Sequence, residues 1–94
     1  MDSNGYNNSL FPTGRCFNCG CGGQLVRHEV YHGPNREKAK RYGCWVSLCV
    51  RCHQDIHNHP ASYRWMQEET QRTAMERYGW TVEEFRKVFG KSYL

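Results

Sequence analysis

Polar and apolar residues alternate from Gln24 to His32, with Val26, His28, Val30 and His32 on one side and Leu25, Arg27, Glu29 and Tyr31 on the other. This period of two predicts a β-strand. Gly33-Pro34 ends it. Asn35 stands where it can cap a short basic helix over Arg36 to Tyr42, and Gly43 lies where such a helix stops. Cys44 to Leu48 is mostly apolar and predicts a second strand, after which the spacing turns helical. Pro60 disfavours helix at His59, so the helix that follows the second strand is short or bent.

The last third has a different style. From about Ala61 to Tyr78 the residues are good helix formers, Glu68 and Arg72 sit at the favourable i,i+4 spacing, and Gly79 breaks the run. Trp65, Ala74, Met75 and Tyr78 form a sparse apolar stripe suited to core packing. Thr81-Val82-Glu83-Glu84 is a capping-box signature for a final helix over Val82 to Phe89, with Gly90 beyond its end. At the other end, residues 1–14 are rich in Asn, Ser and Gly and close on the turn signal Pro12-Thr13-Gly14. They read as a flexible N-terminal arm from which Tyr6 and Phe11 can still dock. The expected organisation is α+β: an arm over 1–14, a core over 15–60, and a helical extension of the same domain over 61–94.

Ninety-four residues with a mean hydropathy of −0.87 bury a proportionally small core, so the fold needs a staple. Cysteine supplies a candidate. The knuckles Cys16-x-x-Cys19 and Cys49-x-x-Cys52 can place four thiolates tetrahedrally around one zinc ion. Cys21, beside Gly20, Gly22 and Gly23, can replace Cys19 as ligand, stand as a spare thiol, or sit in the turn as a small buried residue. Three disulfides in a secreted mini-protein are the competing use of six cysteines. The segment Met1 to Asn8 has no basic n-region or apolar core, and no apolar run reaches membrane-spanning length. The expectation is therefore a soluble, cytoplasmic chain with reduced, metal-binding thiols and no membrane partner.

Directly after the second knuckle, Cys52-His53-Gln54-Asp55-Ile56-His57 sets two imidazoles at i and i+4, on one face of a helix. A structural zinc needs only four ligands, which leaves His53 and His57 for a second task. The formal net charge of +4 is concentrated around these motifs: residues 15–55 carry Arg15, Arg27, Arg36, Lys38, Lys40, Arg41 and Arg51 against Glu29, Glu37 and Asp55. A basic half-chain of this kind suits a polyanion.

The order knuckle, strand with His28, connection, strand, knuckle, helix with His53 and His57 resembles the HNH endonucleases, or ββα-metal finger nucleases, in their zinc-stapled form. The segments His28-Glu29-Val30-Tyr31, Pro34-Asn35-Arg36, Tyr42-Gly43 and Leu48-Cys49-x-x-Cys52-His53 carry the likeness, as does the ending Glu84 to Leu94. They are similar to small HNH-type proteins of phages and integrated elements over roughly residues 16–94, which would place the chain in the cytoplasm of a bacterial host.

The resemblance implies a zinc-stapled, treble-clef-like ββα core with C-terminal helices, acting as a metal-dependent DNA endonuclease or nickase. It implies His28 as general base and His53 and His57 as ligands of a catalytic Mg²⁺, Mn²⁺, Ni²⁺ or Zn²⁺, beside the structural Zn²⁺ of Cys16, Cys19, Cys49 and Cys52. Arg36, Lys38, Lys40 and Arg41 are the candidate phosphate contacts. A homodimer would cut both strands where a monomer nicks.

Two positions depart from the family. Arg27 precedes His28 where many relatives carry an acidic or histidine ligand, so either Glu29 supplies a carboxylate, or Glu29 takes the place of the second histidine of a His-His pair and His28 becomes a ligand. Cys44 stands where the family asparagine commonly lies. Asn35 then either pins the loop from another place or caps the basic helix. The alternative function is a catalytically silent zinc finger that binds nucleic acid.

Overall fold

The strands expected on either side of the basic segment pair antiparallel as β1 (Leu25–Glu29) and β2 (Trp45–Cys49), with Leu25 opposite Cys49 and Glu29 opposite Trp45. This computed structural model describes residues 6–94. A 3-10 turn at Gly33–Asn35 leads into α1 (Arg36–Arg41) between the strands. After β2 come α2 (Val50–Asn58), a second 3-10 turn at Pro60–Tyr63, α3 (Arg64–Tyr78) and α4 (Val82–Phe89). The described residues thus form a small α+β fold with a two-stranded sheet and four α-helices. Among the described residues no helix is long and apolar enough to cross a membrane.

β1 is shorter than its alternation suggests. Val30 still donates to the Cys44 carbonyl at 3.0 Å, but Tyr31 bends away into the C-terminal helices. Its ring stacks on Tyr93 at 4.5 Å and tilts against Phe89 at 4.8 Å, while its hydroxyl donates to the Gln67 carbonyl at 2.9 Å. Beyond Arg27 both sides of the strand are covered: His28 and Val30 on one, Glu29 and Tyr31 on the other, with only His32 exposed. Fully buried Tyr31 ties the end of β1 to the C-terminal helices, and burying such a ring removes roughly 150–250 Å² from water.

Residues 1–5 of the arm lie outside the described residues, whereas 6–11 are docked rather than loose. Asn7 donates its amide to the Lys40 carbonyl at 2.9 Å and accepts from the Trp45 indole at 2.8 Å; Leu10 donates to the Gly43 carbonyl and buries its side chain. The polar composition of the arm conceals Leu10, while Phe11 docks as expected, its ring 4.6 Å from that of Phe17. Gly43 permits the approach. Its φ is +75°, and a Cβ there would lie 2.4 Å from the Asn8 carbonyl oxygen. Gly43→Ala is expected to lower stability by more than the roughly 1–2 kcal/mol of left-handed backbone strain, and to release residues 6–11. Urea unfolding and amide exchange at Leu10 measure the two effects.

The C-terminal helices correct one expectation. α3 buries Met66, Thr70, Gln71 and Ala74, while Trp65 and Tyr78 of the predicted stripe are exposed. Gln71 accounts for the rotation: its amide donates to Ser92 Oγ at 2.9 Å and accepts from the Tyr93 amide at 2.6 Å, tying the tail to the helix. Trp65 stacks outside on Phe17 at 5.9 Å, and the Tyr78 hydroxyl donates to the Tyr42 carbonyl at 2.7 Å. The capping box forms as expected, with Thr81 and Glu84 bonded reciprocally. One cluster of buried side chains runs from Leu10 through Val46 and Leu48 to Phe89, so arm, sheet and helices share a core.

Candidate metal centre and histidine cleft

The two knuckles meet at the far end of the hairpin from α1. The first lies just before β1; the second spans the end of β2 and the first turn of α2, where Cys49 also caps the helix by accepting from the Cys52 amide at 3.5 Å. Cys19 donates its amide to Cys16 Sγ at the same distance, a matching turn. Cys16, Cys19, Cys49 and Cys52 bring their sulfurs within 4.8 Å of one another, and Cys19 and Cys49 stand 3.8 Å apart. Thiolates about 2.3 Å from a tetrahedral zinc lie about 3.8 Å from each other, so the group is compatible with a structural zinc site. All six cysteines are free thiols.

Cys19 rather than Cys21 belongs to the four. Cys21 contributes its carbonyl, which accepts from the Cys16 amide at 2.8 Å and closes the turn. Burial opposes ionisation of Cys16, but backbone amides at Cys19, Cys49 and Asn18 outweigh it and lower its thiol to about 6. The Cys52 amide likewise lowers Cys49. Cys19 moves the other way, to about 12: the Cys21 amide favours its thiolate, yet the adjoining thiols of Cys16 and Cys21 prevail. Four crowded sulfurs without a cation therefore cannot all ionise, which a divalent ion would reverse.

The histidines gather between β1 and α2. His28 comes from β1 and His53 and His57 from successive turns of α2; with His32, Arg27, Glu29, Gly33 and Arg36 they line a cleft of about 460 Å³. Ring centroids run in series, 5.2 Å from His32 to His28, 5.3 Å from His28 to His53 and 4.8 Å from His53 to His57. His28 is buried at 5% exposure. That burial, reinforced by His32 and His53, lowers its imidazole to about 4, so it is neutral at pH 7. Burial also lowers His53 and His32. Neutral imidazoles can accept a proton or ligate a metal. Among the described residues, however, only the four cysteines bring three or more ligand atoms within 4.8 Å.

The remaining expected residues divide. Arg36 lines the cleft, but Lys38, Lys40 and Arg41 do not. Lys40 lies over the Tyr6 ring at 5.2 Å and pairs with Glu37 at 3.4 Å, so its ammonium is largely occupied. Glu29 lines the cleft but is already engaged: Arg36 Nη2 donates to its Oε1 at 3.0 Å and Tyr6 bonds the same carboxylate. Burial disfavours the Glu29 charge, yet these two bonds outweigh it and hold the carboxyl below its usual range. Asn35 does not cap α1; it donates to the Phe89 carbonyl at 2.9 Å and pins the connection to α4. Cys44 sits in the core, its thiol pushed up to about 12 by burial.

Comparison with family models, with curated proteins and with solved structures finds no match for this chain. His32, on the same predicted strand face as His28, joins the cleft lining, and Tyr6 of the arm reaches the cleft only through its bond to Glu29; the motif order alone passes over both.

Proposed function

We propose that the chain is a metal-dependent DNA endonuclease or nickase of the HNH type, on a ββα core of β1, β2 and α2 stapled by zinc on Cys16, Cys19, Cys49 and Cys52. One observation carries the reading: His28 of β1 and His53 and His57 of α2, separated in sequence by the whole connection and second strand, line one cleft with Arg36. His28, neutral at pH 7, accepts a proton from the attacking water. A phosphate in the cleft brings negative charge that raises the His28 pKa again, matching the base to its task. His53 and His57 would hold a divalent ion, which supplies charge stabilisation at the phosphorane and the leaving oxygen. Arg36 holds the backbone of the bound strand. Purified protein is expected to convert supercoiled plasmid to nicked or linear DNA with Mg²⁺, Mn²⁺, Ni²⁺ or Zn²⁺, and chelation is expected to stop it. A monomer with one cleft nicks; a homodimer breaks both strands.

A second reading is favoured by Arg27, which lines the cleft where the resembled family carries a metal ligand. Under it the chain is a silent zinc finger that binds nucleic acid. No cleavage with any of the four ions, together with salt-sensitive DNA binding, would select it. Both readings place phosphate against the basic surface. Removing Arg36, Lys38 and Arg41 is expected to lower the log–log salt slope of duplex binding by up to roughly 0.9 per lost phosphate contact. Lys40→Ala is expected to change it least, because Tyr6 and Glu37 already engage the ammonium. Fluorescence anisotropy at several salt concentrations reads both, and an unchanged slope in the triple variant would move the phosphate-facing surface elsewhere.

A further inference from the structure

Glu29 ends β1 immediately after the proposed base and is buried at 8% exposure, unusual for a carboxylate. Its Oε1 accepts from Arg36 Nη2 at 3.0 Å and Nε at 3.4 Å. The Tyr6 side chain hydrogen-bonds the same group. Tyr6 is itself held in place. Its ring meets Trp45 edge-on at 5.2 Å, the Arg27 guanidinium lies 4.5 Å from its centroid, and Asn7 next to it is bonded to Lys40 and Trp45. A chain of contacts thus runs from the docked arm to the mouth of the cleft.

We propose that Tyr6 and Glu29 are positioning residues that hold the Arg36 guanidinium at the cleft mouth as a phosphate contact. The inference rests on the phosphate-binding cleft of the reading above and names the elements that build it. A guanidinium presents five N–H donors in a rigid fork. Glu29 engages Nε and Nη2, leaving the Nη1 donors for a phosphate oxygen, and the Arg36 side chain is 61% exposed. An arginine already held in one orientation loses less freedom on binding than a free one. The rival role for Glu29 is to neutralise Arg36, which has the opposite consequence: removing the carboxylate would then strengthen phosphate binding.

The test is binding of a short DNA duplex without added divalent ion, by wild type, Tyr6→Phe, Glu29→Gln, Arg36→Lys and the Glu29→Gln/Arg36→Lys double variant. Glu29→Gln and Arg36→Lys are each expected to weaken binding about tenfold, as for loss of a charge-assisted hydrogen bond. The double variant is expected to be no weaker than the worse single, since the two act in series. Tyr6→Phe keeps the ring contacts and removes only the hydroxyl; a loss of about threefold at unchanged zinc content is expected. Unchanged or tighter binding by Glu29→Gln, or fully additive losses, overturns the proposal. Cleavage is scored separately. Wild type that binds with this dependence but never cuts supports the relay and defeats the nuclease, whereas wild type that cuts with binding indifferent to Tyr6 and Glu29 does the reverse.

Discussion

Cys49→Ser is expected to leave the chain without a cooperative unfolding transition and without bound zinc. Structural zinc contributes about 10–16 kcal/mol of apparent binding free energy in small modules, comparable to or larger than the roughly 5–15 kcal/mol net stability of a folded domain. Serine at position 49 removes one thiolate of four and also alters the cap of α2, whose acceptor for the Cys52 amide is the Cys49 sulfur. The effect should therefore exceed that of a cavity. Cys21→Ser is the control: Cys21 lies outside the group of four, so one zinc per chain and a melting temperature near wild type are expected. Elemental analysis beside circular dichroism decides. A Cys49→Ser protein with full zinc content and an unchanged melting temperature would falsify the zinc staple.

Under the proposed nuclease reading, replacement of His28 should have the largest effect on activity. General-base assistance contributes about 10²–10⁴-fold, and His28→Ala is expected to lose that much cleavage while duplex binding and zinc content stay near normal. Because His28 is buried, the truncation leaves a cavity, so folding is monitored alongside. His57→Ala is expected to act differently, raising the concentration of divalent ion needed for half-maximal rate. Retained cleavage in His28→Ala would remove the histidine from the base role. If Glu29→Ala then abolished cleavage with DNA at saturating concentration, the chemistry would belong to the next residue of the strand.

Much of this arrangement was legible in the sequence because it is local. Alternation located β1, an apolar run located β2, the Thr81–Glu84 box and its flanking glycines located α4, and the Cys-x-x-Cys spacing pointed to the four cysteines that meet. The i,i+4 spacing of His53 and His57 put both on one side of a short helix. What escaped depends on partners more than twenty residues away. Asn7 is held by Lys40 and Trp45, and the Asn35 side chain donates to the Phe89 carbonyl and makes no capping bond to its own helix. α3 shows the same limit. Its polar Gln71 faces inward because the tail supplies both hydrogen-bond partners, a bargain no periodicity can reveal.

The long connection between β1 and β2 contains a helix instead of a tight turn, so no turn geometry dictates how the strands align. A hairpin of two short strands is by itself weakly specified. Here Leu25 pairs with Cys49, and the first knuckle sits only a few residues upstream of Leu25. Sliding one strand by a single residue, about 3.3 Å, would turn Cys49 to the opposite face and break up the four-sulfur group. The same slip would reverse His28 relative to its partner strand and take it out of line with α2. The alignment that completes the cysteine group is thus the one that delivers the histidine, and the cysteines act as a detent for the sheet, admitting one setting and rejecting its neighbours.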